Sequence, residues 1–423
     1  MGRGAVPGVC RTYGRAMTRS PSSPGFWRSP LRGPWLTSVL GVVLLGGITV
    51  LFVTGLVSYA AYNPNLSPVN DKTPDKGILG FYLFAWPTDP HWLYRLNQSV
   101  HVTLGVTLIP VLLAKLWSVV PRLFALPPAR SLAHALERVS LLLLVGGALF
   151  EFVTGVLNIQ LDYIFPGSFY TLHFYGAWVF FSAFVVHVVL KTPVALRNLR
   201  HLGEEKDDLV SPRPDRPTVS RRGALWFVGG GSLLLFATTV GQSFDGLLRR
   251  TALLAPHGGA DPGSGPNGFQ INKTARYAGI DTAETAEDAW RLVVTGRTGT
   301  VRLSRAGLAR LPLHSAALPI ACVEGWSTSD QWWRGVRLRD LAGLVGYDGD
   351  PPDVLVESLQ RRGAFRRTAL RANQVADPRS LLALYVNGED LSPDHGFPAR
   401  IIVPAAPGVL NTKWVARMTF GDL

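Results

Sequence analysis

Two groups of residues in this chain have the chemistry to hold metals. The first centres on Cys322, in the run Pro319-Ile320-Ala321-Cys322-Val323-Glu324-Gly325-Trp326-Ser327. The other cysteine, Cys10, is more than three hundred residues away, so an intrachain disulfide is not expected. A lone thiol after a strand-like approach, inside a Gly/Trp-rich turn, suits a metal thiolate or a nucleophile. The competing reading is a small buried hydrophobe. The second group is His101, His173 and His187, which lie in long apolar runs. An imidazole inside such a run is costly unless it has a task. His101 and His173 both stand near the start of runs that cross in the same direction. Equal depth on two helices suits axial ligation of a b-type haem. His187 follows His173 by fourteen residues. That is close to four helical turns, on nearly the same face and roughly 21 Å deeper. The matching depth on the second run is Lys115, not histidine, and His134 is the only other imidazole nearby. Hydrogen bonding between helices is the alternative role.

These residues need a frame. The 423 residues allow two or three domains. Five apolar runs, at about 35–60, 97–120, 137–159, 170–191 and 223–242, are long enough to span a bilayer. Asn63-Pro64-Asn65 after the first run does not look like a cleavage site, so that run is read as a retained helix. The net charge is +13, with 42 Lys and Arg against 29 Asp and Glu. The excess clusters at residues 1–33 and 191–222, beside the apolar runs. This distribution argues for a positive-inside membrane protein in contact with lipid and against a nucleic-acid binder. The basic tail and the 193–222 loop then face the cytoplasm of a bacterial cell membrane, and the C-terminal domain lies outside. The third–fourth loop, with only Asp162, also lies outside. Glu151, inside the third run, either takes up protons linked to quinone chemistry or pairs with Lys115 or a hydroxyl.

Residues 243–268 read as a Gly/Pro-rich linker. Beyond it, residues 269–423 form a mixed α+β pattern. Strands are expected at 290–296, 355–359, 400–404 and 414–420, with short helices at 304–310, 336–345 and 378–384. The full layout is a basic tail (1–34), a four-helix membrane domain (35–192), a basic loop (193–222), a fifth helix (223–242), the linker, and the α+β domain.

The Cys322 run, Trp333-Arg334-Gly335-Val336-Arg337-Leu338, Asp394-His395-Gly396-Phe397-Pro398-Ala399-Arg400 and Gly408-Val409-Leu410-Asn411-Thr412-Lys413-Trp414 occur in this order. Together they resemble the molybdopterin-binding domain of the sulfite oxidase family. The resemblance implies a molybdenum cofactor with Cys322 as the protein's thiolate ligand. A soft thiolate suits a metal whose oxo groups exchange. Asn272, His395, Arg400 and Lys413 would then line the cofactor pocket, Arg400 gripping the pterin phosphate with its planar fork. Trp326, Trp332 and Trp333 read as walls or core rather than reactive groups, and Glu324 as a proton shuttle, a surface group or a hydrogen-bonding group. The His173/His187 spacing resembles di-haem cytochromes b. Ser220-Arg221-Arg222-Gly223 resembles a twin-arginine export signal placed mid-chain, although Ala224 stands where that signal carries Phe.

No arginine follows Cys322 directly, unlike the oxyanion-holding residues of true sulfite oxidases. The pattern is more similar to the bacterial branch that includes the periplasmic methionine sulfoxide reductase catalytic subunit. Arg361, Arg362, Arg366, Arg367 and Arg371 form a basic stretch that would either meet an anionic substrate or be solvated. The expected activity is electron exchange between a quinone pool, haem b and molybdenum, acting on a small S- or N-oxide. The alternatives are oxidation of a sulfite-like substrate and a non-enzymatic electron-transfer protein.

Overall fold

The computed structural model describes residues 24–70, 84–124, 131–159, 169–200, 210, 219–244, 246–254 and 266–423. Cys10, most of the basic tail, the third–fourth loop with Asp162, most of the 193–222 loop and the middle of the linker lie outside the described residues.

Five long helices open the chain: α1 (Pro34–Ala60), α2 (Leu93–Val119), α3 (Leu132–Asn158), α4 (Phe169–Arg200) and α5 (Arg221–Ala237). All five are long and apolar enough to cross a membrane. Their starts follow local chemistry. Pro34 opens α1, where a missing N–H costs nothing. The Ser131 and Ser220 hydroxyls cap α3 and α5 by accepting from the His134 and Gly223 amides. The first four helices share one apolar core. Leu40, Leu44 and Ile48 meet Leu108, Leu112, Val145, Phe180 and Phe184. By contrast, α5 buries no residue and leaves Trp226 76% and Phe227 85% exposed. So large an exposed apolar surface on one helix marks a contact face.

The C-terminal domain holds ten strands in two sheets. They are β1 (Leu292–Gly296), β2 (Gly299–Leu303), β3 (His314–Leu318), β4 (Gln331–Arg337), β5 (Val354–Ser358), β6 (Arg367–Leu370), β7 (Leu381–Val386), β8 (Glu389–Asp390), β9 (Arg400–Ile402) and β10 (Val415–Phe420). The first sheet runs β2-β1-β10-β5-β6, with β1 and β10 parallel. The second runs β3-β4-β7-β8, with β9 also on β7. Leu292, Val294, Val356 and Met418 of the first sheet meet Val336, Leu382 and Ile401 of the second in one core.

The short helices expected at 304–310 and 336–345 form at Arg305–Ala309 and Leu338–Gly343. The third, expected at 378–384, does not form. That stretch is the strand β7, paired to β4, β8 and β9. Its continuous apolar run, Leu381-Leu382-Ala383-Leu384, is buried on both faces. Periodicity cannot separate such a strand from a buried helix. The nearest helix, Ala372–Ala376, lies earlier, capped by Gln374 accepting from the Arg371 amide.

Candidate functional site

Cys322 lies in a tight turn that leaves β3. Its amide donates to the Trp326 carbonyl (2.8 Å) and its carbonyl accepts from Gly325 (3.1 Å). Gly325 has φ 92°, a conformation that glycine adopts without strain. The thiol is 2% exposed and donates to Glu324 Oε2 at 2.8 Å. The same oxygen accepts from Trp326 Nε1, also at 2.8 Å. Asn272 Nδ2 donates to Cys322 Sγ at 3.7 Å, an interaction that favours the thiolate. Burial, and then Glu324, push the thiol well above its ordinary range. Glu324 is therefore a buried group bound to the sulfur and not a surface residue. Trp326 and Trp333 are buried, whereas Trp332 is 57% exposed and is neither wall nor core. Side chains on a strand alternate faces, and Trp332 has the solvent side of β4.

Asn272, His395, Arg400 and Lys413 converge on one cavity beside this turn, closed by Trp326 and Asn411. His395 ends the short turn Pro393–His395, Arg400 opens β9, and Lys413 precedes β10. Three chain segments therefore bring the four residues together. The His395 ring stacks on Phe269 with centroids 3.7 Å apart, and its Nε2 meets the Phe269 carbonyl at 3.2 Å. Arg400 is 5% exposed, lies over the Trp333 ring and donates from Nη1 to the His395 carbonyl. Its Nε has no partner, nor does Asn411 Nδ2. Lys413 donates to the Lys273 and Asp394 carbonyls.

Among the described residues, no carboxylate forms an ion pair with Arg400 or Lys413. Burial pushes Arg400 down to about 9, although the nearby sulfur acts the other way. Burial lowers Lys413 as well, with Arg400 and Lys273 adding to the effect. Two buried cations and two orphan donors, with Asp394 acting on Lys413 without forming an ion pair, suit a polyanion. A pyranopterin with its phosphate and dithiolene fits that donor set. Among the described residues, no three His, Cys, Asp or Glu side chains gather into a metal site.

The Cys322 turn also forms the contact with the helices. Gln98 Nε2 of α2 donates to the Val323 carbonyl, and Gln98 Oε1 accepts from Ser58 of α1 at 2.9 Å. Ser243 Oγ donates to the Gly325 carbonyl, and the Ser327 amide donates to the Gln242 carbonyl. A β-carbon on Gly325 would fall 2.7 Å from Val102, so only glycine allows this approach. Further out, Trp86 Nε1 donates to the Ala405 carbonyl (2.7 Å) and Asn63 Nδ2 to Gln374 (2.8 Å). Sequence reasoning missed these polar contacts. Their one signal was the run of polar residues Asn97-Gln98-Ser99 at the start of an apolar helix.

Directly below lies a second cavity, lined by His101, His173 and Val323, and by Phe365, which also borders the first cavity. The His101 and His173 rings are 6.2 Å apart and near perpendicular. Each meets the same local structure. Thr54 Oγ1 lies 2.9 Å from His101 Nδ1 and donates to the Val50 carbonyl. Thr154 Oγ1 lies 2.9 Å from His173 Nδ1 and donates to the Phe150 carbonyl. A hydroxyl has one proton, so each threonine accepts from Nδ1–H and leaves Nε2 with its lone pair. Gly55 and Gly155 give the rings room, since a β-carbon would fall 3.3 Å and 3.4 Å from the respective Cε1 atoms. The repeated Phe-Val-Thr-Gly at 52–55 and 152–155 was visible in the sequence and was not exploited.

His187 stands apart from this pair, facing Lys115 and Lys191. Lys115 Nζ donates to the Thr37 carbonyl, so Glu151 is not its partner. Glu151 instead meets His173. In the basic stretch, Arg361 is engaged by Glu284 at 2.6 Å. Arg221, at the start of α5, donates to the Arg32 carbonyl.

Residues 279–422 match the family described as "Oxidoreductase molybdopterin binding domain". The nitrate reductase [NAD(P)H] of Hordeum vulgare is 41% identical over 95 residues, 20% of this chain and 10% of that protein. The uncharacterized oxidoreductase YuiH of Bacillus subtilis is 32% identical over 132 residues, 31% of this chain and 65% of the relative. The mitochondrial sulfite oxidase of Rattus norvegicus is 30% identical over 158 residues, 31% of this chain and 29% of the relative. This chain thus spans less than two thirds of each of these relatives. Its C-terminal part is thus similar to molybdopterin-binding oxidoreductase domains.

Proposed function

We propose that this chain is a membrane-embedded molybdenum-cofactor oxidoreductase that carries its own haem-binding electron relay. The observation that carries the reading is the docking of the Cys322 turn on α2, three residues from His101. Cys322 would be the protein's ligand to molybdenum, which when bound supplies oxo transfer with two-electron redox change. Arg400 and Lys413 would neutralise the cofactor's anionic groups, with Asn272, His395 and Asn411 donating or shaping the pocket. Asn272, which donates to the sulfur, would hold the thiolate in place, and Glu324 would take up the thiol proton. His101 and His173 would supply axial nitrogens to a b-type haem, which provides one-electron storage. The paired tautomers support this role for His101 and His173. His187 has no second imidazole near it among the described residues, which favours one haem over two.

The five apolar helices support a membrane location, with the basic tail and the 193–222 loop inside and the molybdenum domain outside. A quinone pool is the natural membrane partner for such a relay, and a small S- or N-oxide the substrate class. Oxidation of a sulfite-like substrate would run the same electrons in reverse. Export of the loaded domain by a twin-arginine route remains part of this proposal. The test is metal analysis with reduced-minus-oxidised spectra on the purified chain from cofactor-replete cells. Stoichiometric molybdenum and one low-spin b haem are expected. Absence of molybdenum would leave a non-enzymatic electron-transfer protein as the better reading.

A further inference from the structure

The haem reading of His101 and His173, on which this inference rests, treats the two ligands as equals. Their surroundings are not equal. Leu51-Phe52-Val53-Thr54-Gly55 on α1 and Glu151-Phe152-Val153-Thr154-Gly155 on α3 differ at the first position only. Each segment presents its threonine to an Nδ1 and its glycine to a Cε1. At the first position, an apolar side chain in one copy is replaced by a carboxyl group in the other.

Glu151 is 7% exposed. Its Oε2 lies 3.1 Å from His173 Nδ1, and its Oε1 has no hydrogen-bond partner. Gly176 of α4 makes room for it, because a β-carbon there would fall 2.3 Å from Oε1. The basic side chain considered as its partner, Lys115, is bound elsewhere. The carboxyl group therefore sits in an apolar bundle with one contact that bears on chemistry, the ring of His173.

We infer that Glu151 is a positioning residue that polarises His173, making it a stronger electron donor to iron than His101. At His173 the single Nδ1–H is shared between Thr154 Oγ1 (2.9 Å) and Glu151 Oε2 (3.1 Å), and a carboxyl oxygen that takes part of that proton gives the imidazole anionic character at Nε2. A more basic axial ligand stabilises ferric over ferrous iron, so the midpoint potential falls. The positive charge of a ferric centre would in turn compensate a carboxylate that has no other counter-charge. Thr54, a neutral acceptor, cannot do this for His101. The relay would thus be held at a low potential by one residue of one repeat.

The test is spectroelectrochemical titration of the whole purified protein as wild type, Glu151→Leu and Glu151→Gln, with haem content and the electron paramagnetic resonance spectrum measured on each. Glu151→Leu gives the second segment the residue found at position 51. We expect full haem content and a midpoint potential raised by at least a tenfold change in the one-electron equilibrium constant, 59 mV. Glu151→Gln should fall in between, because an amide oxygen is a weaker acceptor. The ferric spectrum should shift with the potential, which a merely structural role would not cause. Unchanged potentials in both variants would overturn the inference. So would loss of haem from both, since Glu151 would then be needed to build the site and not to tune it. A wild-type protein without haem is a separate result, and it would refute the parent reading.

Discussion

Replacing Arg400 by methionine should have opposite effects on the empty and the loaded protein. Arg400 is a buried cation with no carboxylate partner, and burial pushes it down from its ordinary value to about 9. At about 1.36 kcal/mol per pKa unit, that fall corresponds to roughly 5 kcal/mol held against the charged form. Methionine keeps the length of the stem and removes the charge. It also leaves the His395 carbonyl without its donor, a loss of about 1–3 kcal/mol. The cofactor-free variant should therefore be more stable than the cofactor-free wild type by about 1–4 kcal/mol, the range seen when buried charges give way to apolar side chains. In the loaded protein the sign reverses. Removing one partner of a buried ion pair costs about 3–5 kcal/mol, so cofactor retention should fall on the order of 10²- to 10⁴-fold. The assay is thermal unfolding of both proteins from cofactor-deficient and cofactor-replete hosts, with molybdenum content measured alongside. A variant that is less stable when empty and normal in molybdenum content would refute the reasoning. Arg400 would then be a strand-end cation with a structural task.

Cys322→Ser should abolish turnover and leave the haem spectrum intact, because an alkoxide is a poorer soft-metal ligand than a thiolate. Wild-type turnover would contradict the ligand assignment. His101→Ala and His173→Ala should each remove the low-spin haem band, and His187→Ala should leave it. The reverse pattern would show that the 6.2 Å pair is not the haem site. Acid should loosen the outer rim of the contact between the two halves, where Arg379 bridges Asp377 and Asp89. Burial alone would raise Asp377, but the hydrogen bonds from Arg379 hold it below its ordinary value. Its contribution is therefore complete at neutral pH. It fades as pH falls below the usual carboxylate value of about 4 toward the lower folded one. Hydrogen exchange of the 84–92 segment should rise over that window, and constant protection down to pH 3 would argue against the bridge.

The helices were legible because hydropathy over twenty residues is a strong signal: all five long helices form at the expected runs, although the fourth continues nine residues past 191, to Arg200. Strands with a clear alternation or a flanking tryptophan, such as β1 and β10, were legible too. β7 was misread because burial on both faces erases the alternation that identifies a strand. Cys322, Arg400 and Lys413 could be picked out because their types and order form a pattern. Gln98, Asn63 and Trp86 could not, because each acts through a contact with residues more than two hundred positions away. Only Gln98 carried a local mark, the polar run Asn97-Gln98-Ser99 in an apolar helix, and that run does not name its partner. Glu151 was recognised as a buried charge, but its partner depends on the rotation of α3 about its axis, which sequence periodicity leaves loose. The repeat at 52–55 and 152–155 would have fixed that rotation.

The hydrogen bonds that Gln98 and Ser243 donate to the Cys322 turn, and the one that the Gln242 carbonyl accepts from Ser327, have a consequence for kinetics. Two redox modules joined by a flexible tether meet by diffusion, so their exchange rate depends on linker length and solvent viscosity. Here the turn that would hold the metal is itself the contact surface, and Gly325 against Val102 leaves no gap for a hinge. Under the proposed reading, the electron crosses a fixed, dry barrier at every turnover. Its rate should then stay flat as glycerol or sucrose is added, and lengthening the 255–265 linker should leave it unchanged.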